Sequence, residues 1–547
     1  MNKLIKNIAA CAAALASVAL VSCDDFLDQP ARGKQNLDNY YQTEKECEDA
    51  VIGCYQAVVM DDWWQIYYPW MQGEVCTDNA WMGNTSQGVP SLYDLAFFMP
   101  TALKDKGPHS DFWYERYIGI LRCNMAIERI PLSPMSNDAK KARLIAEARF
   151  LRGYFYFDLA KNFGGLPLLT GLMTPEDGEK MGRATLEQTW NFIKQNFRAA
   201  IDVLPSSRRL GADEAGRATR GAALAFLGKT LVYEGRWKDA ADTLKILVDE
   251  GDYDLMASFG DCFSADHPNC IESIFEAQHI YDDTYNLGAS LAVIGGNRNA
   301  GDQDGWAYCT PTAWLEKMFI DEGDTERLRW TIIKNGDTDI AGEPDLDKLV
   351  ELQGNKNGDK SYCILSGSVK GGRLYRKYFL PYAKRPATFD KQKVPMNWPI
   401  FRYADALLLY AESLCELGRY PEACTELSKV RKRVFRTEVT GVTGNTLRDM
   451  IRKERQLELA GEFQHLYDIR RWKEDNGHTV MANLFGSNGR FVKWNTDETT
   501  ADPMEWENQN EPSNKGINFN ESRDLLWPLP LDEIERSNGA LVQNPGW

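Results

Sequence analysis

The sequence has few of the residues and motifs from which catalytic centres are usually built. Its 547 residues include only five histidines, and none stands in an H-E-x-x-H pair. The motifs G-x-S-x-G, G-K-[ST] and G-x-G-x-x-G are missing as well, so the usual nucleophile and phosphate-loop signatures are absent. No basic run interrupts a chain of net charge −16, which argues against nucleic acid and anionic lipid as partners. We therefore expect a binding protein without a catalytic residue, cofactor or metal.

Paired carboxylates leave one enzymatic alternative open. The chain has 79 Asp and Glu residues, and spacing in sequence does not report the separation of a hydrolytic pair in space. Glu454, Glu458 and Glu462 recur every four residues, with Arg452 and Arg455 beside them. This spacing is typical of an ion-paired helix face. We interpret His465, which lies in the same charged segment, as a structural histidine.

Disulfide signatures are also missing. The chain has 12 cysteines but no C-x-x-C motif and no dense framework. Cys47 and Cys54 are seven positions apart on one predicted helix, about 10 Å along its axis, which is too far to bridge. The locally possible pairs are Cys262 with Cys270 and Cys415 with Cys424. Buried free thiols are the favoured interpretation.

Apolar runs long enough to cross a membrane do not occur after the first 22 residues. Lys3 and Lys6 precede an apolar, Ala-rich stretch over 8–21, which is typical of a signal peptide. It ends Leu-Val-Ser-Cys, which resembles a bacterial lipobox, with Cys23 as the residue that receives lipid. We expect residues 1–22 to be removed and the lipid on Cys23 to be the only membrane attachment.

Helical periodicity dominates what is present, and the sequence predicts a mainly α fold. Two segments share a G-R-aromatic-x-acid-Ala pattern, at 235–240 and 418–423. This pattern resembles tetratricopeptide-like helical hairpins, with a glycine at each turn. We expect helices over 45–59, 112–130, 137–163, 185–204, a hairpin over 218–248, and a hairpin followed by a third helix, 447–472, within 401–473.

The segment between about 252 and 396 loses this period, and only Thr312–Ile320 looks helical there. Long irregular insertions in a compact protein are often functional. We therefore divide the chain into a helical part over 24–250, a loop-rich ligand-side region over 251–396 and a C-terminal part over 397–547.

Aromatic residues on predicted loops give the strongest signal for a binding site. A sugar ring has an apolar C–H face and a polar hydroxyl rim, so it favours a flat aromatic with polar side chains around the edge. The segment 61–81 supplies that combination, and residues of the glycine-rich loop near 305 could complete it. The alternative is that some of these tryptophans fill the core. The predicted ligand-binding residues are Trp63, Trp64, Asp78, Asn79, Trp81, Trp306 and Tyr308.

Four stretches resemble signatures of one family. They read AEARFLRGYFYF with GGLPL after it at 146–168, RYADALLLYAE at 402–412, ERQLEL at 454–459 and YDIRRW at 467–472. Together they resemble the SusD/RagB family of outer-membrane nutrient-binding lipoproteins, which capture glycans at the cell surface. The resemblance implies a SusD-like fold and delivery of the glycan to a SusC-like TonB-dependent transporter on which the protein forms a lid. A surface lipoprotein glycoside hydrolase and a peptide-binding member of the family are the alternatives.

Overall fold

The structure is a computed structural model that describes residues 40–59, 63–83, 94–99, 108–282, 284–285, 287–297, 305–353, 360–364, 370–386, 392–496 and 515–547. For residues 63–66, 68, 108, 175 and 370 it describes the backbone alone. The predicted signal peptide and the lipidation site at Cys23 lie outside the described residues. Within them, no helix is long and apolar enough to span a bilayer.

The described chain is mainly helical, which confirms the predicted fold class. The helices are α1 Glu44–Val59, α2 Trp63–Val75, α3 Pro108–Arg129, α4 Asp138–Phe163, α5 Pro175–Glu179, α6 Leu186–Ile201, α7 Arg220–Tyr233, α8 Trp237–Glu250, α9 Leu291–Ile294, α10 Ala313–Asp321, α11 Thr325–Thr331, α12 Leu346–Leu352, α13 Tyr403–Glu416, α14 Tyr420–Arg433, α15 Gly444–Glu458, α16 His465–Arg471, α17 Val480–Leu484, α18 Arg490–Thr496, α19 Glu521–Asp524 and α20 Leu531–Arg536.

Within the described residues, six short strands pair into antiparallel ladders of two. They are β1 Ala80–Gly83, β2 Ser273–Ala277, β3 Tyr308–Pro311, β4 Ile332–Lys334, β5 Arg373–Tyr375 and β6 Trp398–Arg402. β1 pairs with β3, β2 with β6 and β4 with β5. The ladders therefore join segments far apart in sequence and tie the middle of the chain to both ends.

The predicted N-terminal helices are confirmed as α1, α3, α4 and α6. Thr185 and Gln188 form a capping box at the start of α6, in which each side chain bonds the other residue's backbone N–H. α4 ends at Gly164, whose φ of 81° reverses the chain before Leu166. α4 packs between α3 and α6, so its residues are buried on most sides.

Both predicted hairpins are confirmed as α7–α8 and α13–α14. Their turns contain Gly235 at φ 70° and Gly418 at φ 73°, the left-handed backbone that glycine adopts without a Cβ penalty. α8 also packs against α13, so the two hairpins adjoin although residues 251–402 lie between them in the sequence. This stacking of helical pairs is the arrangement of tetratricopeptide-like arrays.

The prediction of one continuous third helix over 447–472 is wrong. The structure has two helices, α15 and α16, separated by a turn over 459–464. Gly461 has φ 79° and Phe463 has φ 64°, and neither value fits an α-helix. The turn packs closely, because the Tyr378 hydroxyl donates to the Gly461 carbonyl at 2.7 Å.

The carboxylates of this region are ion-paired, as predicted, but they are buried and their partners come from other elements. Glu458 lies 3.0 Å from Arg327 and 3.1 Å from Arg402. Arg402 also lies 2.7 Å from Glu462. Buried charges of this kind are tolerated only in pairs, so the cluster ties α15 to the elements around it.

The irregular middle region contains more helix than the sequence predicts. α10 confirms the predicted segment, with Thr312 as its N-cap. α9, α11 and α12 were not predicted, because each has seven residues or fewer and is too short to show a period. The ten cysteines in the described part of the chain are all free, which agrees with the interpretation of buried thiols.

Candidate functional site

The predicted loop that carries Trp63 and Trp64 is a helix, so that part of the prediction is wrong. α2 begins at Trp63 and continues through Pro69 to Val75. Its inward face is Tyr67, Trp70, Met71 and Val75, all at most 6% exposed. This face follows the i, i+3, i+4, i+8 spacing of a helix, which the run of aromatics and the proline obscured.

α2 also separates the predicted site residues into two groups. Trp63 and Trp64 are at its beginning, whereas Asp78 comes three residues after its end. At 1.5 Å per residue the two groups lie roughly 20 Å apart along the helix axis. The seven predicted residues therefore do not surround one ligand ring.

Asp78 and Asn79 form a buried hydrogen-bond network with α15 and α16. The Asp78 carboxylate lies 2.8 Å from His465 Nε2, and Gln456 Nε2 donates to Asn79 Oδ1 at 2.7 Å. Asn79 Nδ2 donates to Glu74 at 2.9 Å. Asp78 is 2% exposed and Asn79 is fully buried. Their polar groups hold the end of α2 in place.

Burial and charge shift the pKa values of this network in different directions. Burial opposes the charged form of His465, but the Asp78 carboxylate outweighs it and raises the pKa of the imidazole. Burial likewise disfavours the Asp78 carboxylate, yet His465 brings its pKa below the usual value. For Glu74 burial dominates and raises the pKa to about 7.

Trp81 lies on β1 and Tyr308 lies on the paired strand β3, and both residues are buried. Trp81 pairs with Thr310 and Gly83 pairs with Tyr308. The Trp81 ring is 1% exposed, and its centroid lies 5.9 Å from that of Phe491. Trp81 therefore fills the core, which is the alternative that the sequence left open for these tryptophans.

A cleft of about 570 Å³ lies near the beginning of α2, and we name it the amide-rimmed cleft. Its apolar wall comes mainly from α1, β2 and the segment 280–287, with Ile52, Tyr55, Val58, Val59, Tyr67, Phe275, Ile280 and Leu287. Its polar lining is Gln56, Asn269, Glu276, Gln278, His279, Ser290 and Asn397. Ligand pockets in proteins have this size and this combination of apolar wall and few polar groups.

The polar rim is held in place by its own hydrogen bonds. Asn269 and Gln278 donate to each other at 2.9 Å in both directions. Asn397 Nδ2 donates to Glu276 at 2.8 Å and to Gln278 at 3.0 Å. His279 bonds the Tyr67 hydroxyl, and burial lowers the pKa of its imidazole to about 4, so the ring is neutral at physiological pH. The rim thus presents neutral amides in fixed positions.

Two groups of the predicted aromatics adjoin this cleft. Tyr67, which lines it, follows Trp63 by one helical turn in α2. The backbone N–H of Trp306 donates to the Val293 carbonyl of α9 at 2.7 Å, and Ser290 at the other end of that single turn lines the cleft. The structure therefore places the backbone of Trp63 one helical turn from a lining residue and the partly buried Trp306 beside α9, but these residues and Trp64 are not among those that line the cleft.

The sequence did not reveal the amides of the rim. They are single polar residues at positions 269, 278 and 397, and no spacing connects them. Pairing of β2 with β6 places Glu276 opposite Pro399 and so brings Asn397 beside the other two. Among the described residues, no group of His, Cys, Asp and Glu side chains could hold a metal ion.

Comparisons with known proteins identify the family. The family model "SusD family" matches residues 271–547, and the model "Starch-binding associating with outer membrane" matches residues 25–232. SusD-like protein P2 of Formosa agariphila is 23% identical, over 97% of this chain and 98% of that protein.

Solved structures share the fold. A SusD homolog from Bacteroides thetaiotaomicron has a TM-score of 0.75 at 22% identity, over 95% of this chain and 100% of that chain. A laminarin binding SusD-like protein has a TM-score of 0.71 at 22% identity, over 93% and 100%. The helical hairpins, the buried signature segments and these matches lead to one conclusion: this chain belongs to the SusD family.

Proposed function

We propose that the protein is a non-enzymatic surface lipoprotein that binds a glycan in the amide-rimmed cleft. The observation that carries the proposal is the cleft itself, with an apolar wall and a rim of neutral amides. The apolar wall matches the C–H face of a sugar ring, and the amides can both donate to and accept from its hydroxyls. Family membership and the names of relatives that bind laminarin or surface glycans support the same ligand class.

Trp63, Trp64 and Trp306 extend the cleft in this proposal. Each indole offers a flat face to a further sugar ring of the same polymer. By analogy with stacking on nucleobases, each contact contributes on the order of 1–3 kcal/mol. The other predicted residues then have a structural role, because they are buried where they hold the end of α2 and the β1–β3 ladder in position. They are Asp78, Asn79, Trp81 and Tyr308.

The proposal includes an outer-membrane location and a partner. The lipid on Cys23 anchors the chain, and the family description that mentions association with the outer membrane supports that location. A SusC-like TonB-dependent transporter receives the glycan when the protein closes over it as a lid. The hairpins α7–α8 and α13–α14 provide the rigid wall that docks on the transporter.

Calorimetry against a panel of neutral polysaccharides tests this function. The mature chain without its lipid should give saturable heat with one polymer class and release no new reducing ends. Trp63→Ala, Trp64→Ala and Trp306→Ala should each weaken that binding by about tenfold, because each removes one stacking contact. New reducing ends would transfer the protein to the hydrolase alternative, and heat from peptides alone would favour the peptide-binding alternative.

A further inference from the structure

A second cleft, of about 680 Å³, lies between α15, α16, α17 and the beginning of α18, and we name it the α15–α18 cleft. It shares no lining residue with the amide-rimmed cleft. The lining residues that matter here are Asp78, Trp314, Arg452, His465 and Lys473. The polar lining of the first cleft is mainly amides with one carboxylate, Glu276, whereas this cleft is lined by several charged groups of both signs.

Arg452 is a half-buried guanidinium without a carboxylate in contact. It lies over the Trp472 ring at 5.2 Å, and its Nη1 donates to the Lys473 carbonyl at 3.1 Å. Its Nε is buried and has no hydrogen-bond partner among the residues that the structure describes. Burial lowers its pKa, and the acids of the region do not restore it.

Three other cations of the cleft differ from Arg452 in this respect, and the fourth, Lys473, is exposed. Arg448 lies 2.7 Å from Glu416, Lys453 lies 2.8 Å from Glu322 and Arg490 lies 2.7 Å from Glu474. A buried polar group that lacks a partner costs free energy until a ligand or water supplies one. We therefore expect an anion in this cleft to gain the most binding free energy from contact with Arg452.

His465 provides a second orphaned group in the same cleft. Its side chain is 4% exposed, and its Nε2 is held by Asp78 at 2.8 Å. Its Nδ1 is buried and has no partner in the described part of the chain. Because Nε2 bonds the Asp78 carboxylate, Nδ1 of the neutral ring can accept a hydrogen bond, and Nδ1–H of the imidazolium can donate one.

We propose that the α15–α18 cleft is a second ligand site, for a saccharide unit that carries a carboxylate or a sulfate group. Arg452 and the exposed Lys473 hold the oxyanion, and His465 Nδ1 forms a hydrogen bond with a hydroxyl of the same unit. The partly buried indole of Trp314 lies in the wall, where it can face a sugar ring. That the ligand is a saccharide rests on the proposed function.

The net negative charge of the chain means that binding of an anion in the α15–α18 cleft depends on local contacts. The chain carries −16, and Asp449, Glu474 and Asp475 also line the cleft. Long-range attraction of an anion is therefore not expected, and binding depends on direct contact with Arg452. An acidic peptide with many carboxylates would meet these three acids, so a saccharide with one oxyanion per unit fits better.

The test uses glucuronate disaccharides, a sulfated disaccharide and the matching neutral disaccharide, each titrated into the full mature chain. We expect at least one of the acidic disaccharides to bind saturably. Arg452→Gln should reduce its affinity about tenfold or more, because a hydrogen bond to a charged group is lost. Lys473→Gln, at an exposed position, should reduce it less. Arg236→Gln removes the same charge from the exposed turn before α8 and should change nothing.

The outcomes separate the two sites. The carboxylate and sulfate probes show which oxyanion the cleft prefers. Acidic probes that bind equally to the wild-type chain and Arg452→Gln, with thermal melts that show both folded, would overturn this inference. So would tight binding of a hexaglutamate peptide without binding of either acidic saccharide. Loss of neutral-glycan binding in Trp64→Ala, with acidic binding intact, concerns only the amide-rimmed cleft, so the two proposals fail separately.

Discussion

Single residues hold the C-terminal helices together through buried charge. Asp405 of α13 lies 2.8 Å from both Lys229 of α7 and Arg455 of α15. All three side chains are at most 3% exposed. One carboxylate thus connects three helices, and its loss would leave Lys229 buried without a counter-ion and Arg455 paired with Asp468 alone.

The pKa of Asp405 predicts how stability depends on pH. Burial alone would raise that pKa, but Lys229 and Arg455 outweigh it and lower it to about 2 in the folded protein. The group is depressed relative to the unfolded chain, so its stabilisation is present above pH ~4 and is lost as the pH falls towards 2. The contribution is on the order of 2 kcal/mol. Urea midpoints of the wild type should fall from pH 6 to pH 3.

Asp405→Asn is the variant that checks this assignment. It should be less stable at pH 6, and its midpoint should fall less between pH 6 and pH 3. Glu422→Gln, which removes an exposed carboxylate paired with Arg419, serves as the control and should keep the wild-type slope. An Asp405→Asn slope equal to that of the wild type would contradict the role of this carboxylate.

Elements with regular patterns were predictable from the sequence, and elements with mixed patterns were not. The hairpins α7–α8 and α13–α14 were found because the glycine, the aromatic and the inward stripe repeat in both. α2 was missed because Pro69 and five aromatics hide a buried face that is regular only in space. The break between α15 and α16 was missed because the apolar period continues through it while Gly461 turns the backbone.

Gly461 gives a prediction at the level of elements. Its φ is 79°, and a Cβ there would lie 2.7 Å from the Tyr375 ring. Gly461→Ala should therefore destabilise the fold through both backbone strain and a steric clash. Gly235 has nearly the same φ, 70°, with no atom within 4 Å of its Cβ position. Gly235→Ala isolates the strain, expected at about 1–2 kcal/mol.

Chemical denaturation of the two variants separates the effects. We expect Gly461→Ala to lose at least about 1 kcal/mol more than Gly235→Ala, because overpacking in a dense core adds to the strain. Equal losses would show that the turn between α15 and α16 accommodates a methyl group.

At the scale of the whole molecule, the sequence identified the family and favoured a glycan over a peptide as the ligand, but it indicated only part of the proposed site. Signature segments at both ends of the chain are local and readable, and the structure buries most of their residues in the helical core. The amide-rimmed cleft depends on long-range pairing of β2 with β6 and on the position of α9, which no local pattern reports. Asp78 and Trp81 have the right chemistry for sugar, but tertiary packing buries them.

The proposed function depends on glycan binding in the amide-rimmed cleft. Its most direct test is calorimetry of the identified polymer with the double variant Gln278→Ala/Ile280→Ala, which changes one amide of the rim and one apolar residue of the wall. Ile280 is 59% exposed, so the fold should tolerate the change. The matched control is Gln195→Ala/Ile246→Ala, which alters the same residue types on α6 and α8; Ile246 is 44% exposed.

We predict that Gln278→Ala/Ile280→Ala binds the glycan about tenfold or more weakly than the wild type, and that Gln195→Ala/Ile246→Ala binds it like the wild type. Melting temperatures of both variants within about 2 °C of the wild type would show that folding does not explain the difference. Unchanged affinity in Gln278→Ala/Ile280→Ala would contradict glycan binding in the amide-rimmed cleft, because the glycan would then bind elsewhere on the molecule.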